Sequence, residues 1–150
     1  MARAHPLSHL VQHEFVFATP GRGLLEVTGE VRRLVNESAF RVGVAHVYTH
    51  HTSCSLLINE NADPSVRSDL ERYFARLAPD GDPGFEHVAE GPDDMSAHVR
   101  TALTSVNLSV PITAGRLALG TWQGIYLWEH RQAPQRRKIT VTLMGSVADA

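Results

Sequence analysis

The chain has 150 residues, 43% of them hydrophobic and 20% charged, with a formal net charge of −2. This is enough chain to bury one core, and the balance of charge gives no electrostatic case for nucleic acid or an anionic membrane surface. No apolar run reaches the roughly 20 residues that a membrane span needs. The opening MARAHPLSHLVQHEF lacks the continuous apolar stretch of a signal peptide. Cys54 is the only cysteine, which excludes an internal disulfide and a thiolate-rich zinc site. The expectation is a cytoplasmic protein with one domain over residues 1–150, of which 1–10 form a loose N-terminal extension.

Gln12 to Ala18 is rich in Phe and Val and reads as a strand. Thr19-Pro20-Gly21-Arg22-Gly23 is turn chemistry, and Leu24 to Val27 a short strand. Thr28 reads as a helix N-cap with Glu30 in the first turn, followed by Val31, Leu34 and Val35 at helical spacing. Arg41 to Tyr48 is a strand with Val42, Val44, His46 and Tyr48 on one face. Ser53 to Ile58 is a second. Asp63 as N-cap and Pro64 at the first helical position open an amphipathic helix reaching Ala78-Pro79. After the loop at Asp80 to Gly84, Phe85 to Gly91 is ambiguous. Pro92-Asp93-Asp94 begins a helix that runs to about Leu103. Strands follow at Val106 to Ile112, Arg116 to Leu119 and Gly120 to Trp128. A basic loop from Arg131 to Lys138 then leads to a last strand, Ile139 to Met144. Several strands and about three helices without regular βαβ alternation predict an α+β fold with a mixed or antiparallel sheet.

Polar chemistry gathers in three stretches. His46 to Asn61 carries three histidines, the hydroxyls of Thr49, Thr52, Ser53 and Ser55, and then Asn59-Glu60-Asn61. In an extended strand His46 and His50 share a face while His51 points away. His46 and Cys54 read as packing residues, whereas His51 beside Thr52 and Ser53 reads toward function. Glu60 and its flanking asparagines exceed what the Asp63 cap requires and suit a cation or a ligand hydroxyl. The second stretch, Glu86 to His98, places His87, Asp94 and His98 around a helix start. Asp94 and His98 are four apart and share a face, and the acids of this stretch suit Mg²⁺. The third stretch has Gly120 and Gly124 bracketing Thr121-Trp122-Gln123, the mark of a bulge or of close approach by a ligand. In the basic loop, one arginine would suit a phosphate clamp.

Together these blocks resemble the YjbQ family, also called the uncharacterised protein family UPF0047. The resemblance rests on His51-Thr52-Ser53-Cys54-Ser55 with Asn59-Glu60-Asn61-Ala62-Asp63-Pro64, on Glu90-Gly91 through Asp93-Asp94-Met95 to Ala97-His98, and on Gly120-Thr121-Trp122-Gln123-Gly124-Ile125-Tyr126 to Glu129. It implies an α+β domain with a β-sandwich or barrel-like sheet, assembled as a homotrimer. It also implies a weak thiamine phosphate synthase activity, which joins a pyrimidine pyrophosphate to a thiazole phosphate. On that reading His98, His51 and Glu129 are catalytic, and Trp122, Gln123, Asn59, Thr52, Ser53 and Arg137 bind a phosphorylated substrate. Glu60, Asp94 and His87 hold a divalent metal, Mg²⁺ or Zn²⁺. Two alternatives stand beside it. One is a zinc-assisted hydrolase built on His51, His98 and a carboxylate; the other is a non-catalytic metabolite-binding trimer.

Overall fold

A computed structural model describes residues 2–147. Two antiparallel sheets face each other. The five-stranded one has the order β1(His9–Thr19)-β8(Gln135–Ser146)-β3(Val42–Thr49)-β5(Asn107–Thr113)-β6(Arg116–Leu117), and the three-stranded one β2(Gly23–Glu26)-β7(Gln123–Glu129)-β4(Cys54–Glu60). An isolated bridge from Leu56 to Ser105 links them, so the strands curl into a half-barrel. The helices are α1(Thr28–Glu37), α2(Pro64–Leu77) and α3(Asp94–Leu103). The α+β expectation holds, with every described strand pair antiparallel.

Strand alternation builds the core. Ala45 and Val47 of β3, Val110 and Ile112 of β5, and Ile139, Val141 and Leu143 of β8 point inward. They meet Leu56, Ile125 and Leu127 of the smaller sheet and Val31 and Val35 of α1. Cys54 joins this core, and burial pushes its thiol pKa up, as befits an inert packing residue. His46 is half-buried and bonds Ser109, consistent with a structural role.

Several boundaries differ from the sequence reading. Val27 rather than Thr28 occupies the N-cap of α1; the Thr28 hydroxyl instead donates to Glu26 (2.8 Å) and accepts from the Ile125 N–H (2.9 Å). Gly120 to Trp122 forms a turn before β7, closed by Gln123, whose N–H reaches the Gly120 carbonyl while its own Oε1 accepts from the Gly120 N–H. The expected basic loop is largely strand: Arg136, Arg137 and Lys138 pair with Ala18, Phe17 and Val16. Charge pointed to a loop there, but an edge pairing with β1 satisfies the backbone while alternate side chains face water. Asp63 does cap α2, accepting from the Ser65 N–H (2.9 Å).

Gly43 and Gly145 lie opposite each other across β3 and β8. A Cβ on Gly145 would sit 2.2 Å from the Val42 carbonyl oxygen and 2.7 Å from the Gly43 Cα. Gly145→Ala is therefore expected to lower unfolding free energy by about 1–3 kcal/mol in denaturant titration. At Gly29 in α1 a Cβ meets nothing within 4 Å, so Gly29→Ala should match or exceed wild-type stability. Equal stability of Gly145→Ala and wild type would contradict this close approach.

Candidate functional site

The chemistry concentrates where β4 begins, β7 ends and α3 starts. The core of the arrangement is a buried ion pair. Glu129 at the end of β7 is 0% exposed and Arg137 in β8 is 5% exposed. The Arg137 Nε donates to Glu129 Oε2 (2.6 Å), its Nη2 also reaches Glu129 Oε1, and Nη2 donates to the Ser53 hydroxyl (2.9 Å) and carbonyl (3.1 Å). The Thr19 hydroxyl donates to Glu129 Oε2 (2.9 Å) and the Arg131 N–H to Oε1 (3.0 Å). The Glu129 carboxylate thus receives protein donors at both oxygens, and Arg137 answers it with Nε and Nη2, as burial demands.

One residue pair along, Arg131 turns outward and fastens the start of α3. Its Nε donates to Asp93 (3.1 Å), its Nη1 to Asp94 Oδ1 (2.6 Å) and its Nη2 to the Glu90 carbonyl (2.9 Å). The other oxygen of Asp94, Oδ2, faces two imidazoles. His87 Nε2 lies 2.7 Å away and His98 Nε2 3.1 Å away. Asp94 is 2% exposed, whereas the side chain of His87 is 48% and that of His98 30% exposed, so the cluster opens to solvent on its histidine side. Burial alone would raise the Asp94 pKa, but His87, His98 and Arg131 outweigh it and hold the carboxyl below its ordinary value.

The proton arithmetic at His98 is informative. Its Nδ1 stands 2.8 Å from the Thr52 carbonyl oxygen, which only accepts, so Nδ1 carries the proton. In the neutral ring Nε2 is then a bare lone pair facing a carboxylate oxygen. Two acceptors in that position need a cation between or on them, either a second ring proton or a metal ion. One ligand atom from each of His87, Asp94 and His98 lies within 4.8 Å of the others. Two ligands bound tetrahedrally at about 2.1 Å are about 3.4 Å from each other, so the 2.7 and 3.1 Å contacts of Asp94 Oδ2 are hydrogen-bond distances that an ion would have to widen by a few tenths of an ångström. A backbone carbonyl on the far ring nitrogen is also the usual partner of a metal-bound histidine.

The expected site residues divide into two groups. His87, Asp94 and His98 come together, with the Thr52 carbonyl behind them. Ser53, Glu129 and Arg137 lie close by but buried, with Arg137 bonded to both Glu129 and Ser53. His51 sits at the same end, its Nε2 accepting from the Lys138 N–H (2.8 Å), and burial lowers its pKa. The second group lies elsewhere. Glu60 accepts from the Asp63 N–H (3.0 Å) at the entrance to α2, and Asn59 accepts from the Glu60 N–H (2.7 Å). Gln123 closes its turn, and Trp122 is 63% exposed. The register pairs Cys54 with Glu129 at one end and Glu60 with Gln123 at the other, six residue steps or about 20 Å apart. Trp122, Gln123, Asn59 and Glu60 therefore stand far from His98 within one chain.

Sequence reasoning missed a second polar layer behind the site. The wholly buried His130 bonds the Ser55 hydroxyl (2.8 Å), and Asp80 gathers Arg22 (2.8 and 2.9 Å), Ser96 and Gln132 (2.6 Å). Burial opposes the Asp80 charge, but these partners bring its pKa to about 2. The Glu129-His130-Arg131 run was the available signal: three ionisable residues in a row where an apolar strand ends.

Residues 13–146 match the family described as UPF0047 protein YjbQ-like. The chain belongs to this family. It is 46% identical to the UPF0047 protein sll1880 of Synechocystis sp. over 138 residues, covering 91% of the chain and 94% of that relative. It is 41% identical to the UPF0047 protein YjbQ of Escherichia coli O157:H7 over 89% of the chain and 97% of the relative. Among solved structures, the conserved hypothetical protein TT1486 of Thermus thermophilus superposes with a TM-score of 0.76 at 33% identity. That match covers 86% of the chain and 97% of TT1486. Within the described residues no helix is long and apolar enough to cross a membrane.

His130 supplies a pH test of the buried layer. Burial, followed by the charges of Arg100, Arg22 and Arg137, lowers its pKa to about 3. The folded protein then binds its proton less readily than the unfolded chain, whose value is near 6.5. Stability from this group is full above about pH 6.5 and is lost as pH falls from there toward about 3. Denaturant titrations between pH 7 and 4.5 should show unfolding free energy falling more steeply in wild type than in His130→Gln. Parallel slopes would contradict the assignment.

Proposed function

We propose that the chain is a metal-dependent enzyme acting on a phosphorylated small molecule, with His87, Asp94 and His98 as the metal ligands. The observation that carries this reading is the His98 ring, whose proton is committed to the Thr52 carbonyl while its other nitrogen faces the Asp94 carboxylate. Two imidazoles and one carboxylate favour Zn²⁺ over Mg²⁺, which prefers oxygen ligands and retained water. A bound divalent ion supplies charge to neutralise a phosphate or pyrophosphate leaving group. Around it, Arg131 holds Asp94 in place, the Thr52 carbonyl fixes the His98 ring, and the half-exposed His87 borders a cavity of about 410 Å³ lined by Phe85, Val88, Pro92 and Met95.

The reaction we propose is the thiamine phosphate synthesis that the resemblance implies. The thiazole nitrogen attacks the carbinyl carbon of the pyrimidine, the carbon–oxygen bond breaks, and pyrophosphate leaves with the bonding electrons. Within one chain Trp122 and Gln123 cannot reach the cluster, so they contribute to it only from a neighbouring copy, in keeping with a homotrimer. A second reading, hydrolysis, draws on the exposure of the two histidines, since three protein ligands and an open side are what a hydrolytic zinc site requires.

The test uses protein purified without an affinity tag and stripped by chelator. With both thiamine precursors present, added Zn²⁺ should restore product formation, and His98→Ala should lower it at least about tenfold. Phosphate or pyrophosphate release without the thiazole partner would favour the hydrolase. Equal rates in wild type, stripped protein and His98→Ala would overturn the metal site.

A further inference from the structure

A separate concavity of about 380 Å³ lies between α1 and the β5–β6 hairpin, lined by Arg32, Asn36, Arg116 and Leu117. Arg32 and Asn36 are four residues apart on α1 and share a face. Arg116 opens β6 directly after the turn at Ala114 and Gly115, both of which have positive φ (50° and 78°). β6 packs against α1, and Arg116 lines the same concavity as Arg32. Both arginines are exposed, and neither has a carboxylate partner among the described residues, although the adjacent Arg33 stands 3.9 Å from Glu37.

Two guanidinium groups facing one concavity without a counter-charge repel each other, and an anion accepting from both removes the penalty. Guanidinium forks match the paired oxygens of phosphate, and the Asn36 amide adds a donor. The volume is in the range of a small-metabolite site. The protein's net charge of −2 makes such a locally cationic pocket selective rather than part of a generally basic surface.

This pocket is not an arm of the metal cluster. Val42 pairs with Thr113 at the hairpin end of β3, whereas Thr49 ends β3 near Thr52 and His98. Seven residue steps separate those ends, about 23 Å.

We propose that the Arg32–Asn36–Arg116 pocket binds the phosphate or pyrophosphate group of a small molecule, at a second site independent of His87, Asp94 and His98. Chelator-treated, ¹⁵N-labelled full-length protein is titrated with inorganic phosphate, pyrophosphate and glycerol phosphate in parallel. The expected result is saturable amide shifts at Arg32, Asn36, Arg116 and Leu117, with at least one probe half-saturating below about 1 mM. The tightest of the three shows whether a free anion or a phosphate ester is preferred. Arg32→Ala and Arg116→Ala, checked for an otherwise unchanged spectrum, should each weaken binding about tenfold or more, and His98→Ala should leave it unchanged. Failure of the metal reading leaves these shifts in place. Absence of saturation with all three probes, or equal affinity in the arginine variants and wild type, would overturn the second site.

Discussion

The ion pair between Glu129 and Arg137 is the constraint on which the site depends. Taking two charges out of water costs several kcal/mol per ion, and only close pairing with full hydrogen bonding offsets it. Here the pairing is complete: Glu129 receives Arg137, the Thr19 hydroxyl and the Arg131 N–H, while Arg137 also reaches Ser53. The groups come from β1, β7, β8 and the residue before β4, so both sheets are locked together at this one point. An error in the register of any of these strands would strand a charge inside the protein, which makes the pair a device of specificity as much as of stability.

The outer cluster inherits its geometry from that lock. The Arg131 backbone is held by Glu129, its side chain holds Asp93 and Asp94, and Asp94 then faces His87 and His98. The Thr52 carbonyl that fixes the His98 ring lies next to Ser53, itself bonded to Arg137. Inner charges are buried and paired, whereas the two outer imidazoles are accessible and share one carboxylate oxygen. The outer layer is the one open to solvent, and the inner layer sets its position.

Local pattern made much of this visible in the sequence. The strand alternation from Arg41 to Tyr48, the Asp63-Pro64 helix start and the i, i+4 relation of Asp94 and His98 each rest on neighbours in the chain and appear in the structure. What stayed hidden depends on tertiary partners. Charge made Arg136 to Lys138 look like a loop, yet β1 pairs with them and draws Arg137 inside. The apolar run ending at Trp128 reads as strand from Gly120 onward, yet Gln123 folds Gly120 to Trp122 into a turn. The resemblance groups Glu60 and Trp122 with His98, and the β4–β7 register sets them about 20 Å away within one chain. The Glu129-His130-Arg131 run marks ionisable residues at a strand end, but not the Ser55–His130 and Arg22–Asp80 contacts, whose partners are distant in sequence.

The proposed metal site of His87, Asp94 and His98 is built around a histidine whose Nδ1 faces the Thr52 carbonyl. Crystals of the chain grown with zinc, with diffraction recorded on both sides of the zinc absorption edge, test it most directly. A zinc ion held by these residues would give one anomalous peak about 2.0–2.2 Å from Nε2 of His87, Nε2 of His98 and Oδ2 of Asp94. No peak there, with the three side chains unchanged and zinc bound elsewhere, would contradict it.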